Sequence, residues 1–377
     1  MKILMVTGNG RLLDGINRHV LMVAGGLQAR GVEVAVCTVA AHGELAEALE
    51  AKGIKVFALG CETGHDWRLI GRFWKVMRSF RPDVVHGHMS AFFASVLMKF
   101  VFPRTPVVET VHTIRGPAQR LYPWGRTAKW WWLRQVLPRK RRSIFVSQGL
   151  LEHAGSPANG VVIYNPMDFE VPKGQGENLR SVLGVPAGTP VIGTACRIAE
   201  QKDPLAFTRV MCAVLRERTD VHAVVMGAGL PNLEEEMRSI IAASGVGERF
   251  HLLGYRADAP YLSGELDCFV MTSVWEGLPT ALLEAVRAHV PIAFMEGKGG
   301  LVDLARLNAT EGPLAVVVPQ GDEAGLAQGI LKLLAQPEEA KSRAERAYAA
   351  AKQRYSIDLA AEKLEALYRR VIEEVQA

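Results

Sequence analysis

Short apolar runs alternate with longer stretches in which polar residues recur every three or four positions. Runs such as Lys2-Ile3-Leu4-Met5-Val6-Thr7 are too short for helices and rich in aliphatic residues, so they read as buried strands. The pattern predicts strands in the first half at 2–7, 32–39, 54–58, 83–87, 106–111, 143–147 and 161–164. In the second half it predicts 190–196, 221–226, 250–253, 267–272, 290–295 and 314–318. Helix-like spacing fills the gaps, and strict alternation of this kind predicts an α/β protein with doubly wound parallel sheets. A chain of 377 residues exceeds what one compact core holds, so two domains are expected. The division is placed at 1–170, joined by 356–377, and 175–355, with the Pro, Gly and Lys cluster at 172–177 as linker. Leu359, Leu364, Leu367, Tyr368 and Val371 share one face of a closing helix over 355–374. Open parallel sheets bind ligands past the carboxyl ends of their strands. Candidate residues should therefore lie just beyond a strand.

The segment Ser273-Val274-Trp275-Glu276-Gly277-Leu278-Pro279-Thr280-Ala281-Leu282-Leu283-Glu284 follows the apolar run ending at Met271. Gly277 and Pro279 break the strand pattern, and Pro279 suits the first turn of a helix because its missing N–H would be unpaired there. The segment reads as strand, tight loop and helix, with Glu276 in the loop. The first N–H groups of such a helix lack internal partners and sit at its positive end, where a phosphate binds without any side chain. Glu276 and Glu284 repel a phosphate but accept strong hydrogen bonds from hydroxyls. A diphosphate between two polyols fits this arrangement: a nucleotide sugar, with Glu276 on the sugar and Glu284 on the ribose. The plainer alternative is a loop acid and a helix-face acid.

This Glu-x7-Glu segment resembles the signature of the retaining family-four glycosyltransferases, which have the GT-B fold. The resemblance implies two Rossmann-like domains facing across a cleft and transfer of a sugar from a nucleotide diphosphate, with anomeric configuration retained. Cys196-Arg197-Ile198-Ala199-Glu200-Gln201-Lys202 is similar to the family's Arg-x4-Lys element. Arg197 offers a planar fork and Lys202 a point charge, which suit a diphosphate leaving group. From the same likeness Gly227, Gly229 and Tyr255 border the nucleotide, with Gly277, Leu278, Pro279 and Thr280 completing the donor site. The Gly-rich loop from Gly8 to Gly15 is no Walker loop, because Ile16-Asn17 stands where Lys-Ser/Thr would be. It resembles the family's first loop, and Gly15 would then approach the donor diphosphate. His112 ends a predicted strand and matches a histidine that meets donor sugar and acceptor. His86, His88 and Arg115 are placed on the acceptor side. As a metal pair His86 and His88 lack a third ligand nearby in the sequence. Asn165-Pro166-Met167-Asp168 resembles the family's interdomain turn and is assigned hinge geometry.

Composition adds bounds. Five scattered Cys with no Cys-x-x-Cys pair argue against a disulfide framework or a thiolate metal site. The opening strand leaves no secretory leader in view, so a cytoplasmic location is expected, or a peripheral one on the inner face of the cytoplasmic membrane. The net charge of +5 hides a split: residues 1–165 hold 22 Lys+Arg against 10 Asp+Glu, or +12, leaving 22 against 29, or −7. Trp130, Trp131 and Trp132 precede Arg139, Lys140, Arg141 and Arg142. Aromatic and basic residues together suit an anionic membrane surface, although Trp also fills cores. No nucleic-acid partner is expected.

The reading is a retaining hexosyltransferase moving a sugar from a nucleotide-diphosphate donor, a UDP-sugar, to a lipid-linked or cell-envelope glycan. His112, Glu276, Arg197 and Lys202 are its catalytic residues. With no first-domain acid placed as nucleophile, a front-face mechanism is expected, and with no metal cage in view no metal or other cofactor is required. A nucleotide-sugar epimerase of the same fold and a non-enzymatic basic membrane or nucleic-acid adaptor are the alternatives.

Overall fold

The computed structural model describes residues 1–8, 15–61, 66, 68–88, 102, 104–114, 142–170 and 178–376. The chain forms two compact units, Met1–Pro166 with Tyr355–Ala377, and Met167–Arg354.

The first unit is built on a sheet of β1 (Lys2–Thr7), β2 (Glu33–Thr38), β3 (Lys55–Ala58), β4 (Val84–His88), β5 (Val107–Val111), β6 (Arg142–Phe145) and β7 (Gly160–Val162). Its order is β3-β2-β1-β4-β5-β6-β7, and every pairing is parallel. The second unit continues with β8 (Val191–Ala195), β9 (His222–Met226), β10 (Phe250–Leu252), β11 (Cys268–Met271), β12 (Trp275–Glu276), β13 (Ile292–Glu296), β14 (Lys298–Gly299) and β15 (Val316–Pro319). Its main sheet runs β10-β9-β8-β11-β13-β15, again parallel throughout, while β12 and β14 pair with each other. All thirteen strands read from the hydrophobic pattern lie within two residues of an observed one. The β12–β14 pair escaped that reading, because two-residue strands carry no periodicity.

Parallel strands covered on both faces should be apolar on both, and β1 and β4 are. Ile3 and Met5 enter one core with Val84, while Leu4 and Val6 enter the other with Val85. The first of these cores is closed by the helices Gly15–Ala29 and Ile357–Gln376. Val20, Val23, Ala24 and Leu27 meet Ala360, Ala361, Leu364 and Val371 there. The approach is close enough that a Cβ at Gly26 would stand 2.7 Å from Ile357 Cγ2. Arg30 to Glu365 at 2.8 Å and Arg142 to Glu374 at 2.5 Å fasten the same helix at its rim. Tyr355, expected at the start of the closing helix, instead ends the helix Pro337–Tyr355, and Ser356 separates the two.

Candidate functional site

In the second unit the strand order reverses between β8 and β11, since β9 follows β8 on one side and β13 follows β11 on the other. Ligand crevices of open α/β sheets form at such a point, beyond the carboxyl ends of the strands. Two loops leave the sheet there, and they are stitched together. The Val274 N–H donates to the Gln201 carbonyl at 2.9 Å, and Gln201 Nε2 donates to the Trp275 carbonyl at 2.8 Å. Thr272 Oγ1 reaches the carbonyls of Lys202 and Asp203, each at 3.0 Å.

Across this seam Lys202 Nζ pairs with Glu276 Oε1 at 2.5 Å, and Gln201 Nε2 donates to Glu276 Oε2 at 3.3 Å. Glu276 is only 6% exposed. It lies in β12, not in a free loop as the sequence suggested, and β14 holds it from the other side through Glu276 against Gly299. Lys202 is therefore not an open cation waiting for an anion. Arg197, by contrast, is exposed and has no hydrogen-bonding or ionic partner among the described residues.

Pro279 also differs from expectation. It is the residue before the helix Thr280–Arg287, with φ −77° and ψ 79°, and not its first turn. No side chain caps that helix, and the Thr280 N–H turns back to the Leu278 carbonyl at 2.9 Å. Gly277 and Leu278 are buried beneath it, Thr280 is half-buried, and Glu284 stands half-buried on the same helix.

Gly227 and Gly229 have a steric duty. A Cβ at Gly227 would fall 1.7 Å from the Cys196 carbonyl oxygen, and one at Gly229 would fall 1.9 Å from that of Ile198. The backbone bonds Cys196 N–H to Met226 and Ile198 N–H to Ala228, both at 3.1 Å, run through this contact. These glycines let the loop after β9 lie against the loop that presents Arg197. Past the outer strands, Tyr255 is 61% exposed beyond β10 and Leu230 is 43% exposed beyond β9. Leu230 and Gln201 were not singled out from the sequence. An exposed Leu or a loop Gln has no signal of its own there.

The first unit reverses its strand order between β1 and β4. Histidines gather past that point. His86 and His88 both lie in β4 with ring centroids 4.3 Å apart, as same-face neighbours must. His86 is fully buried, and its nitrogens are engaged by Tyr368 Oη at 2.6 Å and Thr110 Oγ1 at 2.7 Å. It has no free polar atom to offer an acceptor, which removes it from the acceptor-side set. His88 Nδ1 meets His112 Nε2 at 3.0 Å. His19, on the helix that follows β1, packs on both at ring-centroid distances of 5.3 and 4.9 Å. Neither His19 nitrogen has a partner among the described residues, nor does His88 Nε2.

His19 is the third imidazole that the sequence did not supply beside His86 and His88. One ring nitrogen each from His19, His88 and His112 lie within 4.8 Å of one another, a set that could hold a metal ion. As they stand, His88 and His112 are bonded to each other. Their 3.0 Å separation is shorter than the roughly 3.3 Å edge of a tetrahedron with Zn–N near 2.0–2.1 Å.

Burial holds all four imidazoles below the usual histidine range, with the neighbouring rings adding to the effect. His86 and His112 fall to about 3. Each is thus neutral when folded and takes up a proton when unfolded below pH ~6.5. Between pH ~6.5 and about 3 the unfolded chain binds more protons, so stability is full above that window and is lost as pH falls. The unfolding free energy of the first unit, read from urea titrations, should drop on acidification through this window, by up to about 1.4 kcal/mol per pH unit for each such histidine. A flat profile between pH 7 and 5 would show that the cluster is already charged.

Gly15 opens its helix with nothing within 4 Å of an added Cβ. The rest of the Gly-rich loop (9–14), Arg115, the aromatic and basic run from Trp130 to Arg141, and the 172–177 linker lie outside the described residues. Arg142 is described and pairs with Glu374.

Comparison with known proteins adds to this geometry. Residues 13–171 match the family described as Glycosyltransferase Family 4, and residues 189–336 match Glycosyl transferases group 1. A relative from Streptomyces fradiae, a 2-deoxystreptamine N-acetyl-D-glucosaminyltransferase, is 26% identical over 83% of this chain and 81% of its own length. An Escherichia coli relative, UDP-Gal:alpha-D-GlcNAc-diphosphoundecaprenol alpha-1,3-galactosyltransferase, is 25% identical over 60% of this chain. The match spans 61% of that relative's length, less than two thirds. Anabaena HepE, solved in complex with UDP and glucose, superposes with a TM-score of 0.77 at 21% identity, covering 98% of this chain and all of its own.

Proposed function

The chain belongs to the family-4, group 1 glycosyltransferases and has their GT-B fold of two parallel-sheet α/β domains; on that premise we propose that it moves a hexosyl group from a UDP-sugar to a lipid-linked or envelope glycan, with retention. The observation that carries this reading is the second unit's switch point, where Arg197, the Lys202–Glu276 pair and an uncapped helix start lie on adjoining loops. A diphosphate calls for a cation fork, an ammonium and free N–H groups together. The UDP named with HepE and with the Escherichia coli relative supports the nucleotide, and the latter's diphosphoundecaprenol supports a lipid-linked acceptor.

In this reading donor binding exchanges Lys202's partner. The ammonium turns from Glu276 to the diphosphate, and the released carboxylate accepts hydrogen bonds from the sugar. Glu284 takes the ribose, while Tyr255 and Leu230 offer apolar surface to the base. In the transfer step the acceptor oxygen bonds to the anomeric carbon on the face from which the diphosphate leaves. The electrons of the broken bond pass to the departing phosphate oxygen, and a phosphate oxygen takes the acceptor's proton. Arg197, Lys202 and the helix start stabilise the charge that builds there. His112, neutral in its buried setting and held at 3.0 Å by His88, is assigned in this reading to the sugar and acceptor from its likeness to the family's histidine alone. Metal is not called for in this scheme, because the cations of the chain do that work.

The test is calorimetric titration with a panel of nucleotide sugars, followed by anomer analysis of the product. Uptake of a UDP-sugar and a retained anomer are expected, and no uptake at millimolar supply would overturn the reading. Turnover after exhaustive chelation is expected to stay within about twofold, since no diphosphate-bridging ion is invoked. Complete loss restored by manganese would overturn metal independence.

A further inference from the structure

The helix Arg68–Phe80 buries Leu69, Phe73, Val76, Met77 and Phe80 along one stripe. Outside that stripe its surface should be polar. Ile70 and Trp74 stand there instead, one helical turn apart and each 41% exposed. Only four large hydrophobic side chains are so exposed among the described residues, and these two are the only pair within one turn of each other in sequence. Lys75, Arg78 and Arg81 are close to them in the chain, all exposed and with no acidic partner among the described residues. The Arg78 guanidinium lies over the Trp74 ring at 4.9 Å. No acid occurs from residue 68 to 81.

We propose that this exposed surface, centred on Ile70 and Trp74 with Arg78 over the indole and Lys75 and Arg81 exposed nearby in the chain, docks on an anionic lipid surface. The chemistry selects that occupant. Trp is an interfacial side chain, with an apolar body and an N–H that stays among headgroups, and Ile enters the acyl boundary beside it. The three cations sit at headgroup level, where each adds attraction to anionic lipid. A protein partner is a poorer fit, because two apolar side chains fall far short of the roughly 800 Å² per partner that a standard interface needs. The proposal stands or falls independently of the transfer reaction.

The experiment is co-sedimentation of the full chain with phosphatidylglycerol–phosphatidylcholine vesicles and with phosphatidylcholine alone. Binding to the anionic vesicles only, weakened by salt, is expected. Ile70→Ser with Trp74→Ser should lower partitioning about tenfold or more, as removal of an interfacial anchor does. Lys75→Glu with Arg78→Glu should abolish it. All four side chains are exposed, so thermal melts of both variants should match the parent and separate docking from folding. No binding to anionic vesicles, or undiminished binding by the Ile70/Trp74 variant, would overturn the proposal. So would capture of a single-stranded oligonucleotide that is lost in the same variants while vesicles are ignored, because a Trp–Arg platform can also stack bases.

Discussion

Glu276→Ala is expected to lower transfer about a thousandfold, at the upper end of the loss for one strong electrostatic contact in a reacting site. It should also weaken the second unit. Glu276 is 6% exposed and neutralises Lys202, whose side chain is 19% exposed. Breaking a fully buried ion pair costs about 3–5 kcal/mol and breaking a surface pair about 0–1, so this intermediate pair should cost roughly 1–3 kcal/mol. For a domain of this size that lowers the melting temperature by about 2–10 °C. Glu276→Gln separates the two effects. The amide keeps the shape and an acceptor for Lys202, so the melting temperature should fall less. The charged acceptor for sugar hydroxyls is gone, so turnover should fall nearly as far. If the Gln variant kept more than a tenth of the parent rate, Glu276 would be an anchor for Lys202 and nothing more.

Arg197→Ala should be as damaging to turnover, with a loss of about 10²–10³-fold, and silent in a thermal melt. The reason is its freedom: an exposed guanidinium without partners among the described residues contributes little to folding, and in the proposed reading its task begins when a diphosphate arrives. Arg197→Lys should recover little, since a point charge cannot reproduce a bidentate fork. Lys202→Ala should lower the rate comparably but should also lower the melting temperature, because Glu276 is left buried without its cation. The double variant should fall short of the product of the two, as groups acting on one leaving group do. Steady-state kinetics beside donor titration reads all of this. A rate within threefold of the parent for Arg197→Ala would remove the proposed diphosphate grip.

The sheets were legible because their strands are apolar on both faces. Runs such as Val191 to Ala195 and Cys268 to Met271 announce themselves, and their order in the chain carries the α/β alternation. Arg197, Lys202 and Glu276 were legible as residues just past such runs. Their relations were not. Lys202 and Glu276 are 74 positions apart, and nothing in either neighbourhood says that they neutralise each other. The purpose of Gly227 and Gly229 was likewise hidden, because a backbone clash with Cys196 and Ile198 appears only once β8 and β9 are paired. His19 belongs to no motif in the sequence. Its clue was local, since it lies beside Val20, Val23 and Leu27 on the side that must be buried. Pro279 shows the limit of boundary reasoning: proline signals the start of a helix but does not fix whether it stands on or before the first turn.

The first unit is assembled from Met1–Pro166 and a stretch that begins only at Tyr355. On the ribosome its opening segment emerges long before the partner that completes it. Val20, Val23 and Leu27 then wait without Leu364, Tyr368 and Val371, while the whole second unit is synthesised and can close by itself. That interval exposes an unfinished apolar face to chaperones and to aggregation. A premature stop near residue 356 would spare the second unit and leave the first without Tyr368, the hydroxyl that His86 holds deep beneath its histidine cluster.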